Sequence, residues 1–408
     1  MEKNKVNILV SACLGENLGD EVIFHNFHSF LTKKIKNVEF FVFSSKPNVT
    51  SKMHNVESFY HLTQFMNYFK SPKKIIDILR IFKKTDIIII GGGGIFQDVH
   101  SPETIPRYSI PVLIAKVFRK PVFCYSVGVG PIKNAYLKKL VKLIFEQVDS
   151  ITVRDKYSKR FLMDLGVSKE VFLAPDPAIL SSILHNRKKL SKDLKNKIVA
   201  ICIRKFKLSK IAILEISKFC DYLIEKKSFK IIFVPMETDD IEVIGKVIQN
   251  IRNKHGVLVM PKDREKMPIS QFIEFFGNIS FAVSMRLHGL IIPVSYDKPV
   301  IGLVYDEKVR NFMKSLDNEN FIVDIDKITF DILERMYRRL EFEARINSRV
   351  ESLQRRSLEA LDHVVDSIGI KPKFNTKEFI FSWTILFLIL INFYFQQFLK
   401  KHLHLFFK

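Results

Sequence analysis

Apolar residues in the first half of the chain fall in short unbroken runs rather than in alternation. Residues 6–12, 39–44, 86–90, 122–127 and 150–153 are rich in Ile, Val and Phe, with few polar interruptions. Strands covered on both faces read this way, because neither side of the sheet meets water. Between the runs the spacing turns helical, as over 20–36 and 135–147. Strand–helix–strand order predicts a parallel, doubly wound sheet. The second half repeats the scheme, with strands expected at 198–203, 230–235, 256–259, 281–284 and 300–304. A basic, polar stretch at 185–197 separates the halves, and a long charged helix is expected over 328–365. The predicted fold class is α/β, with two doubly wound domains, 1–184 and 195–366, facing a cleft, plus a C-terminal hydrophobic helix within a tail at 371–408.

The tail departs from this pattern. Residues 379–395 carry no charge. At about 1.5 Å per residue they reach roughly 25 Å, near the short limit for a bilayer core. Trp383 and Tyr394, with Lys373, Lys377, Lys400 and Lys401 outside them, suit interfacial anchors. The expectation is attachment to a membrane surface, by a span or by a helix lying on it. At the other end Lys3 and Lys5 precede an apolar run at 6–10, and Val10-Ser-Ala-Cys13 imitates a lipoprotein box. The run is shorter than the roughly 7–15 residues of a secretory core, so it reads as a buried first strand.

Charge narrows the function classes. Lys and Arg number 65 against 43 Asp and Glu, a net charge of +22. Such an excess favours anionic partners. The lysines are scattered and no basic–aromatic stripe appears, so nucleic acid is not expected as a partner. The four cysteines show no C-x-x-C or zinc-ligand spacing, and three lie in apolar runs as core residues. That usage suits a reduced, intracellular protein, and no metal is expected.

Unusual residues cluster where predicted strands end, which is where doubly wound sheets bind ligands. After the first strand, Gly15-Glu-Asn-Leu-Gly-Asp20 offers Asn17, Gly19 and Asp20 as ligand contacts, or a plain turn with a capping Asp. Gly91-Gly-Gly-Gly94 follows the third run. Gly92, Gly93 and Gly94 would let a substrate approach the main chain, and Asp98 suits a sugar-hydroxyl acceptor or a general base. It is neither a P-loop nor a dinucleotide fingerprint. Ser126-Val-Gly-Val-Gly-Pro131 is a further glycine turn, equally suited to close packing. Arg154 ends a strand, and its planar fork suits a carboxylate or phosphate, or an ion pair with Asp155. Asp176, between two prolines, suits a hinge. Arg204 is a second anion candidate at a strand end. The sharpest motif is Ser284-Met-Arg-Leu-His-Gly289. Arg286 and His288 alternate on an extended segment, so both can face one side, with Ser284 at the strand end. An imidazole beside a guanidinium suits a general acid working on an anion.

These motifs, in this order, resemble the polysaccharide pyruvyl transferase family. Asn17-Leu-Gly-Asp20, the segment 91–98, Ser126–Pro131, Val153-Arg-Asp155 with Ser158, Pro175-Asp176 and Arg286-Leu-His-Gly289 carry the resemblance across about residues 6–310. It implies two Rossmann-like domains of the GT-B-like kind. It also implies transfer of the pyruvyl group of phosphoenolpyruvate onto hydroxyls of a sugar, as a ketal, in a cell-surface polysaccharide or its precursor. Arg154, Arg286 and His288 map onto the family's catalytic positions, with phosphoenolpyruvate as donor substrate and no cofactor. Asp98 or Asp20 would deprotonate or orient the saccharide acceptor. With the tail, this places the protein in the cytoplasm at the inner face of the membrane, and it leaves the acceptor open between a free, a nucleotide-linked and a lipid-linked saccharide. The alternative on the same fold is a GT-B sugar-nucleotide glycosyltransferase.

Overall fold

The computed structural model describes residues 5–64, 72–99, 101, 103–185, 197–206, 208–261, 267–343, 347–368, 380 and 384–385. The chain divides into two compact units. One comprises Met1–Leu14, Leu31–Pro175 and Ala360–Lys408, and the other Gly15–Phe30 and Asp176–Glu359. The division differs from the sequence-based boundaries in one consequential way. The Gly15–Asp20 motif, expected in the first domain, belongs to the second unit.

The first unit holds a seven-stranded sheet. Its strands are β1 (Val6–Ser11), β2 (Val38–Ser44), β3 (Glu57–Tyr60), β4 (Ile87–Gly91), β5 (Val122–Val127), β6 (Ser150–Val153) and β7 (Val171–Leu173), in spatial order 3-2-1-4-5-6-7. Every pairing is parallel, with Val10 beside Val42 on one side and Ile89 on the other. All residues of β4 and β5 are buried, the reason they lack alternation. The helices Pro72–Lys84, Thr104–Val117 and Ala135–Gln147 feed Phe82, Tyr108, Ile144 and Phe145 into the same core as Ile88, Ile90 and Phe96. Phe96 and Phe145 meet edge to face with centroids 4.9 Å apart, a contact whose truncation costs about 3–5 kcal/mol. Asn134 caps the third helix, accepting from the amides of Tyr136 and Leu137.

The second unit holds six parallel strands: β8 (Ile198–Cys202), β9 (Lys230–Phe233), β10 (Val257–Val259), β11 (Phe281–Ser284), β12 (Val300–Val304) and β13 (Ile322–Asp324). Their order is 10-9-8-11-12-13, so the direction of winding reverses between β8 and β11. That reversal opens the ends of β8 and β11 to a ligand.

The two doubly wound sheets agree with the hydrophobic pattern. β3, β7 and β13 were not expected, being short edge strands with exposed or half-buried positions. The single charged helix expected over 328–365 is instead two described helices, Phe330–Glu343 and Asn347–Asp366. Most of the expected linker at 185–197 and all but three residues of the expected hydrophobic helix lie outside the described residues. Among the described residues no helix is long and apolar enough to cross a membrane.

Candidate active site

The second unit gathers charged side chains at its reversal point. Three strand ends contribute: Arg204 after β8, Glu237 and Asp240 after β9, and Ser284 to His288 after β11. The helix Leu18–Lys34 begins beside them, with the Leu18 amide donating to the Met236 carbonyl at 3.0 Å. Asn17 caps it, its Oδ1 accepting from the Gly19 amide at 2.8 Å. The other end of the Asn17 side chain donates Nδ2 to Glu237 Oε1 at 2.7 Å.

The segment after β11 is not extended. The strand stops at Ser284, Leu287 is already helical at φ −54 and ψ −47, and the helix His288–Ser295 follows. Arg286 and His288 therefore do not share a face by alternation, and each has its own partners. Ser284 is fully buried and donates Oγ to the Arg286 carbonyl at 2.7 Å, so it is spent on the turn rather than turned to a ligand. Gly289 packs the helix onto the sheet, since a Cβ there would lie 2.4 Å from Ser284 Oγ and 2.8 Å from Cys202 Sγ.

Arg286 does not present an open guanidinium. Nη1 and Nη2 donate to the two oxygens of Glu237 at 2.7 and 2.9 Å. Nε and Nη2 donate to the two oxygens of Asp240 at 3.1 and 2.5 Å. Asp240 is fully buried and Arg286 is 6% exposed. Burial opposes the Arg286 charge, but the bonds and charges of both carboxylates more than restore it. Burial likewise disfavours the Glu237 carboxylate, yet Arg286, Asn17 and Arg204 together hold it below the usual range. The expected anion grip of Arg286 is thus replaced by a bidentate brace between two carboxylates. Sequence reasoning missed both acids. Glu237, Asp239 and Asp240 directly after a strand, in a chain of net charge +22, were the available signal.

His288 is 8% exposed. Its Nε2 lies 3.4 Å from Asp176 Oδ2, while Asp176 Oδ1 accepts from the Ala178 amide at 3.0 Å. The opposite edge of the ring rests on Gly19, where a Cβ would fall 1.9 Å from Nδ1. Glycine at 19 is therefore required by the approach of the imidazole. Asp20, the next residue, is half-buried. Burial lifts its carboxyl from 3.8 to about 6; the His288 charge pulls it down, and Asp176, Glu237 and Glu21 push it up. Asp20, Asp176 and His288 thus form one acid–base group. Arg204 borders it, donating Nη1 to the Tyr305 hydroxyl at 2.8 Å. Its guanidinium lies 4.8 Å from the Tyr305 ring centroid.

The first unit carries a separate feature. Gly92 and Gly93 adopt φ of 74° and 81°, which side chains rarely adopt. Arg154 lies across this loop and the next, because a Cβ at Gly94 would sit 3.3 Å from its Nη2 and one at Gly128 2.8 Å from its Cζ. Its Nε donates to Asp155 Oδ2 at 3.1 Å, and that carboxylate also caps the helix Lys156–Asp164. Asp98 accepts from the amides of Lys133 and Asn134 at 2.8–3.0 Å, which ties two loops together and occupies the carboxylate expected to serve an acceptor. Ser126 is buried, donating to the Ala174 carbonyl at 2.9 Å, so its turn serves packing.

Comparison with known proteins gives three findings. Residues 17–307, more than half of the chain, match the family model for polysaccharide pyruvyl transferase. The amylovoran biosynthesis protein AmsJ of Erwinia amylovora is 22% identical over 278 residues, 60% of this chain and 63% of the relative. The chain thus spans less than two thirds of that relative. Among solved structures, the UDP-GlcNAc 2-epimerase from Methanocaldococcus jannaschii aligns with a TM-score of 0.61 at 11% identity, over 89% of this chain and 100% of that one. A ugt transferase from Siraitia grosvenorii in complex with UDP aligns with a TM-score of 0.51 at 12% identity, over 89% of this chain and 100% of that one. These likenesses are of fold: parallel-sheet α/β domains of the kind found in glycosyltransferases and sugar-nucleotide epimerases.

Proposed function

The chain belongs to the polysaccharide pyruvyl transferase family, and from that premise we propose that it transfers the pyruvyl group of phosphoenolpyruvate to two hydroxyls of a sugar as a ketal. The observation that carries the reading is His288, held between Gly19 and Asp176 with Asp20 beside it, at the reversal point of the second sheet.

The reaction needs one carbon protonated and two hydroxyls deprotonated. His288 gives a proton to the methylene carbon, which becomes the methyl group and leaves positive charge on the carbon bearing carboxylate and phosphate. A sugar hydroxyl bonds to that carbon, and its proton passes to Asp20. The C–O bond to phosphate then breaks, the second hydroxyl closes the ketal, and its proton leaves with the phosphate. The proton on Asp20 returns to His288, so the enzyme ends as it began. Asp176 is a positioning residue that fixes the imidazole through Nε2. Arg286 is a second one, holding Glu237 and Asp240 in place. Arg204 supplies the cation for the phosphate or carboxylate of the donor. In the first unit, Arg154 over its glycine loops is an anion-binding element.

The test is incubation of the purified protein with phosphoenolpyruvate and extracted cell-surface glycans. The proposal expects phosphate release, and a gain of about 70 mass units per modified sugar, pyruvic acid less water. Binding of UDP-sugars with no response to phosphoenolpyruvate would instead favour a glycosyltransferase.

A further inference from the structure

The first unit gathers buried polar atoms that have no hydrogen-bond partner among the described residues. They are Ser11 Oγ, both ring nitrogens of His61, Thr63 Oγ1 and Arg107 Nε. Folded proteins leave few such atoms, because each forfeits its hydration without a return. Ser11, His61 and Thr63 are 0, 1 and 6% exposed.

These residues stand at one end of one face of the sheet. Ser11 ends β1 and lies beside Phe43 in the ladder. His61 directly follows β3. Its ring centroid is 6.4 Å from that of Phe43, and it meets Tyr108 edge to face at 5.8 Å. Tyr108 is next to Arg107 near the start of the helix Thr104–Val117. Leu9, Phe43 and Tyr108 share one core, so Ser11, two residues past Leu9, is on the side of the sheet that this helix covers. This is the carboxyl end of the strands, and β1 and β4 flank the reversal of winding there, where such sheets take ligands.

The fold does not use these side chains. Gln64 closes the turn after β3, its Oε1 accepting from the His61 amide at 3.2 Å and its amide donating to the His61 carbonyl at 2.8 Å. Arg107 has no ion-pair partner among the described residues, although it sits near the positive end of a helix, where a lone cation is disfavoured. Burial, and then the Arg107 charge, lower the His61 imidazole from 6.5 to about 3, so it is neutral and offers one N–H and one lone pair. Arg107 is half-buried, which leaves the group open to solvent on that side. One cation, a neutral imidazole and the Ser11 and Thr63 hydroxyls match an oxyanion carried on a sugar ring. The guanidinium meets the charge, and the groups that both give and accept meet hydroxyls. A bare anion would leave the accepting atoms unused, and a neutral sugar would leave the guanidinium unpaired.

We propose that Arg107, His61 and Thr63 form a subsite for an acidic saccharide, held through a carboxylate or phosphate on its ring. The inference rests on the reading of the protein as a saccharide-modifying transferase, and it names the class of acceptor.

The experiment is titration calorimetry of the full chain, without phosphoenolpyruvate, against glucuronate, glucose 1-phosphate, glucose and inorganic phosphate. Wild type should bind at least one of the two sugar anions about tenfold or more tighter than glucose or inorganic phosphate. Binding of glucuronate alone would assign the carboxylate, and of glucose 1-phosphate alone the phosphate. Arg107→Ala and His61→Leu should each weaken that binding about tenfold or more. Arg154→Ala and Arg204→Ala, which remove the other arginines assigned to anions, should keep it. So should Arg160→Ala, at an exposed arginine elsewhere in the unit. His61→Leu should melt at or above wild type, since it removes two unpartnered polar atoms. No binding by wild type, a preference for inorganic phosphate, or wild-type affinity in Arg107→Ala would overturn the proposal and leave the cluster as a place for internal water. Sugar-anion binding without any pyruvyl transfer would keep the subsite and overturn the reaction, and transfer without such binding would do the reverse.

Discussion

The α-carbon of Gly19 is the floor on which the His288 ring lies, so close that a methyl group there would fall 1.9 Å from Nδ1. Gly19 is inside the first turn of a helix, where Ala is ordinarily favoured by about 1 kcal/mol. Here the clash outweighs propensity, because displacing a buried ring costs about 1–3 kcal/mol. Gly19→Ala should therefore lower the melting temperature and cut turnover with phosphoenolpyruvate by more than about a hundredfold. A variant as stable and active as wild type would mean that the ring has room to move.

Arg286 and Asp240 form a buried pair, so losing one partner leaves the other charge without its counter-charge. Arg286→Met takes the cation from Asp240, fully buried, which keeps only the amides of Lys205, Met236 and Glu237, and from Glu237, which keeps only the Asn17 side chain. The expected loss of stability is about 3–5 kcal/mol. Adding Asp240→Asn and Glu237→Gln should recover much of it, since the uncompensated charges are gone. Urea unfolding of the single and triple variants measures both effects. A mild single variant would show that the guanidinium is not the brace its bonds describe.

What the sequence made legible follows from burial. β4 and β5 read as unbroken apolar runs because both their faces are covered, whereas β3, β7 and β13 lie at or near sheet edges and carry too little pattern to register. The cluster at the strand ends was partly visible. His288, Asp20 and Gly19 stood out by spacing, and Asp176 by its flanking prolines. What spacing did not reveal is pairing across long separations. Glu237 meets Arg286 49 residues away, and Asp176 meets His288 112 residues away. The turn at Leu287 also escaped, because Met-Arg-Leu-His alternates apolar and polar residues and so reads as extended, whereas the chain is already helical at Leu287. Asp98 and Ser284 have the right chemistry for ligands but are used by backbone groups, which side-chain type alone does not disclose.

Asp20 couples pH to both stability and rate. Its folded value of about 6 lies above the ordinary 3.8, so the folded state holds the proton more tightly than the unfolded chain. The stabilisation is complete below about pH 4 and is lost as pH rises through about 6. Asp20→Asn, which has no charge to desolvate, should be more stable than wild type above pH 6 by on the order of 1–3 kcal/mol. The difference should vanish in acid. Activity should move the other way: wild-type turnover needs the ionised carboxylate, so its acid limb should fall near pH 6 and be absent from the slow variant. Denaturation midpoints and rates across pH test the two signs independently.

Arg154 is supported by two glycines rather than by carboxylates on all sides. Gly128→Ala would push a methyl group to 2.8 Å from Cζ and displace the guanidinium while leaving its charge in place. Binding of phosphoenolpyruvate or inorganic phosphate, followed by calorimetry, should weaken about tenfold or more in Gly128→Ala and in Arg154→Ala alike. Unchanged affinity in both would remove Arg154 from anion binding and leave it as the partner of Asp155.

Asp176 separates orientation from structure. Asn at this position keeps the Oδ1 bond to the Ala178 amide and so keeps the local turn. It replaces only the carboxylate oxygen that faces Nε2 of His288 at 3.4 Å. If Asp176 orients the proton donor, Asp176→Asn should melt as wild type, bind phosphoenolpyruvate as wild type, and lose about 10–100-fold in kcat. Asp176→Glu should restore part of the rate, because a carboxylate again reaches the imidazole, even though the longer side chain disturbs the cap. A purely structural role predicts the reverse order, with Asn near wild type in rate and Glu the more damaged. The ratio of the two kcat values, at matched stability, decides between them.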